Sequence, residues 1–191
     1  MPVHIQQISA GALQLYASVP ISFTVRSRLR VDPVDSGLGG LRLVEEPVDP
    51  PYLKDYDADE SPLLWAERFD VRRWAFFLAF SSKNRPVGAA AVAFNTPGVN
   101  MLEGRTDLAV LWDIRVHPEA RGKGIGAALF EIVQDWSKAQ GCRELKVETQ
   151  NINVSACRFY ARMGCTLGAV QTHAYHGTLA HEVMLLWYKT I

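Results

Sequence analysis

Two stretches of this chain carry residue types and spacings that can do chemistry. The first is Arg121-Gly122-Lys123-Gly124-Ile125-Gly126. Glycines lack a Cβ, so successive backbone N–H groups can turn toward one anion and let it approach closely. Apolar residues recur at Ile125, Leu129, Ile132, Val133 and Trp136, which predicts a helix opening at this loop, and Gly141 stands where a left-handed stop is expected. The unpaired N–H groups and positive dipole end of that helix, with Ala127 in its first turn, favour a phosphate. Arg121 and Lys123 add charge at the same place. The second stretch is Asn151-Ile152-Asn153-Val154-Ser155-Ala156-Cys157-Arg158-Phe159-Tyr160-Ala161-Arg162-Met163-Gly164. It predicts a helix capped by Asn153 and stopped by Gly164. Asn153, Cys157 and Tyr160 are spaced i, i+4, i+7 and share one face, with Asn153 and Tyr160 roughly 10 Å apart along the axis. One extended ligand could touch both.

Spacing separates three ways of holding a phosphate. A Walker-type loop needs Gly-Lys followed by Ser or Thr for magnesium, but Lys123 is followed by Gly124. The dinucleotide fingerprint is formally met by Gly122, Gly124 and Ala127, with the acid Glu144 about twenty residues on. That fingerprint leaves its strand directly, however, and here His117-Pro118-Glu119-Ala120 intervenes, while Glu144 opens the next strand instead of ending it. The third pattern is Arg-x-x-Gly-x-Gly, from Arg121 to Gly126, after a strand ending Val116-His117-Pro118.

That third pattern resembles the pyrophosphate-binding motif of the GNAT superfamily of N-acetyltransferases, and the Asn153 to Tyr160 helix lies at that family's spacing. Val147-Glu148-Thr149-Gln150-Asn151-Ile152-Asn153, Ala156-Cys157-Arg158-Phe159-Tyr160 and the ending Leu185-Leu186-Trp187-Tyr188 resemble its streptothricin acetyltransferase branch. The resemblance covers about residues 72–190; residues 1–71 carry no matching motif. It implies an α/β fold with a mixed, mostly antiparallel central sheet flanked by helices and a splayed parallel strand pair that holds acetyl-CoA. Backbone groups of Ile114 and Val116 would pair with the pantetheine arm, and Arg121, Gly122, Lys123, Gly124, Gly126 and Ala127 would hold the pyrophosphate. Asn153 would contact the arm, and Tyr160 would lie near the thioester sulfur as general acid.

The implied reaction is direct attack of a neutral amine on a thioester in a ternary complex. A lysine-like amine with a pKa of about 10.4 is mostly ammonium at neutral pH, so a base is required. Two carboxylates compete. Glu148 is favoured because its strand leads into the Asn153 helix; Asp113 lies on the strand of Ile114 and Val116, where an ion pair with Arg115 is the structural alternative. Trp112 is the aromatic best placed to line an acceptor pocket. The expected acceptor is a primary amine of a small molecule, a streptothricin-like antibiotic being one candidate and antibiotic resistance the role that follows. A peptide or protein amino group is the enzyme alternative, and a non-catalytic acyl-CoA sensor the alternative of another class.

Strands are predicted at residues 21–31, 73–81, 87–94, 108–116, 144–149, 167–175 and 182–188, with a short helix from a Ser61-Pro62 start through Phe69. The second and third of these strands form a hairpin around Lys83-Asn84-Arg85-Pro86. Residues 45–60, with Pro47, Pro50, Pro51 and many acids, read as a loop. The acidic group Asp55, Asp57, Asp59 and Glu60 is a solvated run or an attractor of cationic amines. His173, His176 and His181 lack an accompanying cysteine or carboxylate set, so no metal is expected.

With 191 residues, 48% of them hydrophobic and 21% charged, one domain is the expectation. Twenty basic and twenty acidic side chains balance, so the charge calls for neither nucleic acid nor an anionic membrane. No basic leader or run of about twenty apolar residues occurs, and a cytoplasmic location is expected. Cys142, Cys157 and Cys165 form no Cys-x-x-Cys pair. A homodimer is compatible with all of this.

Overall fold

Ala75-Phe-Phe-Leu-Ala-Phe80 and Gly88-Ala-Ala-Ala-Val-Ala-Phe94 are apolar on both faces, the mark of strands covered from both sides. The computed structural model, which describes residues 3–191, makes them neighbours. In chain order the elements are β1 (His4–Ile8), α1 (Leu13–Ala17), β2 (Phe23–Pro33), β3 (Leu41–Lys54), α2 (Trp65–Arg68), β4 (Ala75–Phe80), β5 (Pro86–Phe94) and β6 (Leu108–Val116). There follow α3 (Ile125–Ala139), β7 (Glu144–Gln150), α4 (Val154–Arg162), β8 (Thr166–Gln171) and β9 (Met184–Thr190). They fall into two compact units: one holds the residues up to Ser22, Asp55–Val147 and Lys189–Ile191, the other Phe23–Lys54 and Glu148–Tyr188.

In the first unit the hydrogen-bonded order is β1-β4-β5-β6-β7. The first three pairings are antiparallel; β6 and β7 run parallel from Leu108↔Glu144 to Leu111↔Val147. β6 continues five residues beyond that last rung, still paired with β5 as far as Gly88↔Val116. One face of this sheet carries α3, whose Leu129, Phe130 and Val133 are fully buried. Gly88 makes that approach close, since a Cβ there would sit 2.8 Å from Ile125 Cγ2 and 2.9 Å from Leu129 Cδ1. An aromatic core holds α1, α2 and β4 together: Trp65 stacks on Phe76 at 6.3 Å, with the edge of Tyr16 5.4 Å away. Each such ring contributes on the order of 2–3 kcal/mol by leaving water.

The second unit holds the antiparallel ribbon of β2 and β3 and the antiparallel pair β8 and β9, with the end of β7 from Glu148. α4 packs on β2 and β8. Charges lace the ribbon: Glu46 accepts from Arg28 at 2.7 Å and from Arg30 at 2.9 Å. Arg158 of α4 pairs with Glu45. Lys54 and Glu182 form a buried pair at 3.1 Å.

Four expectations need correction. Residues 45–60 are not mainly a loop, because β3 runs to Lys54 straight through Pro47, Pro50 and Pro51. A two-stranded ribbon has free edges, where a missing N–H breaks no ladder, and the register shift between Val25 and Ser27 absorbs the extra residues. The chain does not begin its regular structure at residue 21: β1 is an edge strand with polar glutamines, and it shows no apolar alternation to read. β8 ends at Gln171, so Tyr175 lies in the loop that follows and not in a strand. The helix expected from Ser61 is a 3-10 turn (Pro62–Leu64) running into α2, with Ser61 Oγ accepting from Leu63 N at 3.4 Å.

Candidate active site

The glycine loop takes its shape from backbone conformations that side chains resist. Gly122 and Gly124 have φ of 74° and 82°, and a Cβ on either would meet nothing within 4 Å. Conformation, not crowding, demands glycine there, and the space above the loop is open. Gly124 caps the fifteen-residue α3, so the N–H groups of Ile125, Gly126 and Ala127 in its first turn have no intrahelical acceptor. Arg121 holds the loop to the end of β6: its Nε donates to Val116 O at 3.0 Å and a terminal nitrogen to Ser22 O at 2.8 Å. Partial burial lowers the pKa of this guanidinium. Lys123 Nζ donates to Glu119 O at 2.6 Å and stays exposed. These backbone donors and two cations suit a pyrophosphate, as the cradle chemistry requires.

On β6, Ile114 and Val116 stand two residues apart beyond the parallel ladder, both half-buried. Trp112 sits at the register shift between β5 and β6, packed edge-on against Phe69 at 5.2 Å and against Trp74 at 5.1 Å. Asp113 is engaged on both oxygens. Its Oδ1 accepts from Tyr16 Oη at 2.6 Å and Arg115 Nε at 2.9 Å, and its Oδ2 from Arg115 at 2.7 Å. Arg115, 1% exposed in its side chain, also donates to Val19 O at 3.0 Å and Asp57 Oδ2 at 2.9 Å. Burial, with Asp113 beside it, raises the Tyr16 phenol well above its ordinary pKa. The acidic run is thus partly structural: Asp57 pairs with Arg115, Asp55 accepts from Asp57 N at 3.2 Å, and Glu60 pairs with Arg68 at 3.1 Å.

In the second unit, Asn153 Oδ1 accepts from Ala156 N at 3.1 Å and caps α4. Cys157 and Tyr160 are buried on that helix, and burial pushes the Cys157 thiol up to about 12. The Tyr160 ring lies 5.4 Å from Phe159 and 6.4 Å from Trp187. Glu148 Oε1 accepts from Tyr175 Oη at 2.6 Å and from Gln150 Nε2 at 3.4 Å. Gln150 Nε2 donates to Tyr175 Oη at 2.8 Å. Asn151, 3% exposed, ties the strand end down: its Nδ2 donates to Leu29 O and its Oδ1 accepts from Val183 N, each at 2.8 Å.

Two functional candidates, Tyr16 and Tyr175, are invisible to sequence reasoning. Each reaches its carboxylate across a long stretch of chain, and nothing local marks them. His173, His176 and His181 are exposed, and among the described residues no group of three or more His, Cys, Asp or Glu is placed to hold a metal. Among the same residues no helix is long and apolar enough to cross a membrane.

Comparison with known proteins agrees with this architecture. The family model described as "Acetyltransferase (GNAT) family" matches residues 42–165. Streptothricin acetyltransferase A of Bacillus subtilis is 32% identical over 145 residues, 75% of this chain and 76% of that one. The crystal structure of a nourseothricin acetyltransferase superposes with a TM-score of 0.78 at 26% identity, covering 100% of this chain and 99% of the other. A Bacillus anthracis structure described as a putative streptothricin acetyltransferase in complex with acetyl coenzyme A shares the fold, with a TM-score of 0.77 at 23% identity over 100% of both chains. A mixed, mostly antiparallel sheet flanked by helices, a glycine loop at the head of α3 and a family match over residues 42–165 place this chain in the GNAT family, as an acetyl-CoA-dependent N-acetyltransferase.

Proposed function

We propose that this enzyme acetylates a primary amine of a small molecule, a streptothricin-like antibiotic, by direct attack in a ternary complex. The observation that carries the substrate class is the 32% identity to a streptothricin acetyltransferase over three quarters of each chain. Acetyl-CoA supplies the activated acyl carbon. Gly122, Gly124 and the first turn of α3 bind its pyrophosphate, with Lys123 adding charge, while Arg121 keeps the loop in shape. Backbone groups of Ile114 and Val116, beyond the last parallel rung, align the arm as a further strand would, and Asn153 orients it from the head of α4.

Glu148 accepts the proton that the ammonium must lose before it can attack. Asp113 is the poorer candidate for this role, since its oxygens are already committed to Arg115 and Tyr16. Tyr160 holds a phenolic proton for the leaving sulfur, whose thiol pKa is about 8.5 by analogy with cysteine. Trp112 forms part of the acceptor wall.

Thiol release from acetyl-CoA by purified protein tests the reading, with streptothricin, a linear polyamine and a peptide with a free α-amine as acceptors. Streptothricin is expected to give the largest kcat/KM. Turnover with the peptide alone would favour the protein-acetylating alternative, and acetyl-CoA binding without thiol release from any amine would make the chain a sensor.

A further inference from the structure

Glu148, Gln150 and Tyr175 are hydrogen-bonded to one another. Glu148 and Gln150 are two apart on β7 and so share one face of the strand. Tyr175 reaches them from the loop after β8, touching Glu148 Oε1 at 2.6 Å and Gln150 Nε2 at 2.8 Å. Donor and acceptor roles fix the direction of this set. The Gln150 amide nitrogen can only donate, so Tyr175 Oη is its acceptor, and the single phenolic hydrogen is left to go to the carboxylate. A distance of 2.6 Å is that of an O–H donating to a charged oxygen.

We infer that Tyr175 is a positioning residue for the reaction: with Gln150 behind it, its phenol fixes the Glu148 carboxylate in one orientation and holds it ionised. The inference rests on the reading of Glu148 as the base. A donated hydrogen bond stabilises the charged carboxylate over the neutral acid, so Glu148 stays a proton acceptor to lower pH than it otherwise would. It also removes rotational freedom from a side chain that must meet the amine nitrogen in one geometry. Tyr175 touches neither the reacting atoms nor the pyrophosphate cradle in this scheme. Its loss therefore acts on kcat and on the acid limb of the pH profile, and leaves the KM for acetyl-CoA alone.

The experiment measures kcat, KM and the pH dependence of kcat/KM for wild type, Tyr175→Phe, Glu148→Gln and the double variant. Phe keeps the ring, so the loop packing is retained; Gln150→Leu, which removes the donor behind the phenol, is the second route if Tyr175→Phe does not fold. Tyr175→Phe is expected to lower kcat about tenfold and to move the acid limb up by about one pH unit, the usual size of a hydrogen bond to a charged group. The double variant should be no slower than Glu148→Gln, because Tyr175 acts only through that carboxylate. An inactive Glu148→Gln beside a Tyr175→Phe with wild-type kcat and an unmoved limb would overturn the role of Tyr175 alone. A Glu148→Gln that turns over at wild-type speed would overturn the base itself, and the two failures are told apart by the Glu148→Gln assay.

Discussion

Replacing Asp113 by Asn separates the two carboxylates on β6 and β7 by their physical roles. Asn is nearly isosteric, so the change removes charge without opening a cavity. Arg115 keeps its bonds to Val19 O and Asp57 but loses two charge-assisted bonds to Asp113, and it is 1% exposed against 26% for the Asp57 side chain. A buried guanidinium that loses its principal partner costs about 3–5 kcal/mol, because the charge cannot be hydrated where it stands. Tyr16 also faces an amide in place of a carboxylate at 2.6 Å. At a slope of about 2 kcal/mol per molar urea, the unfolding midpoint should fall by about 1.5–2.5 M. For a chain of this size the melting temperature should drop by roughly 10 °C. The paired assay is kcat per folded enzyme at a temperature well below the new transition, where Asp113→Asn should retain turnover within a few fold of wild type. A variant as stable as wild type, yet a hundredfold slower, would refute the reasoning and return Asp113 to the chemistry.

Gly124→Ala forces a side chain into a left-handed backbone at φ 82°, which costs about 1–2 kcal/mol and tilts the donors at the head of α3. Isothermal titration should show acetyl-CoA bound several-fold more weakly; unchanged affinity would contradict the cradle. Cys157 and Cys142, pushed by burial to about 12 and about 11, stay neutral thiols at pH 8 and should react slowly with an aromatic disulfide reagent until urea unfolds the chain. The sign of their pH linkage follows from a folded pKa above the unfolded one. Their stabilisation is complete below the unfolded thiol pKa, about 8.5, and is lost as pH rises toward 11 and 12. Urea midpoints at pH 8 and pH 10 should therefore differ, with the lower value at pH 10.

Features that were legible in the chain are those whose cause is local. β6 was expected at 108–116 and spans Leu108–Val116. The Asn153 cap and the left-handed Gly141 and Gly164 stand where backbone chemistry requires them. Illegible features depend on what lies across the fold. β1 shows no apolar pattern because an edge strand need not bury a full face. β3 carries three prolines because a ribbon edge tolerates them. The ion pair of Asp113 with Arg115 could be suspected from their separation of two residues on one strand, but Tyr16 and Asp57, which complete it, are 97 and 58 residues away from the partners they meet.

The sequence by itself determined the family, the glycine loop at the head of α3 and the capped α4 helix, because each is written in conformational preferences acting over a few residues. Only the tertiary structure decided which carboxylate is bound up in a buried ion pair and which is held by a tyrosine from a distant loop. Charge burial and hydrogen-bond partnership are properties of the folded surroundings, and neighbours far apart in the chain supply them.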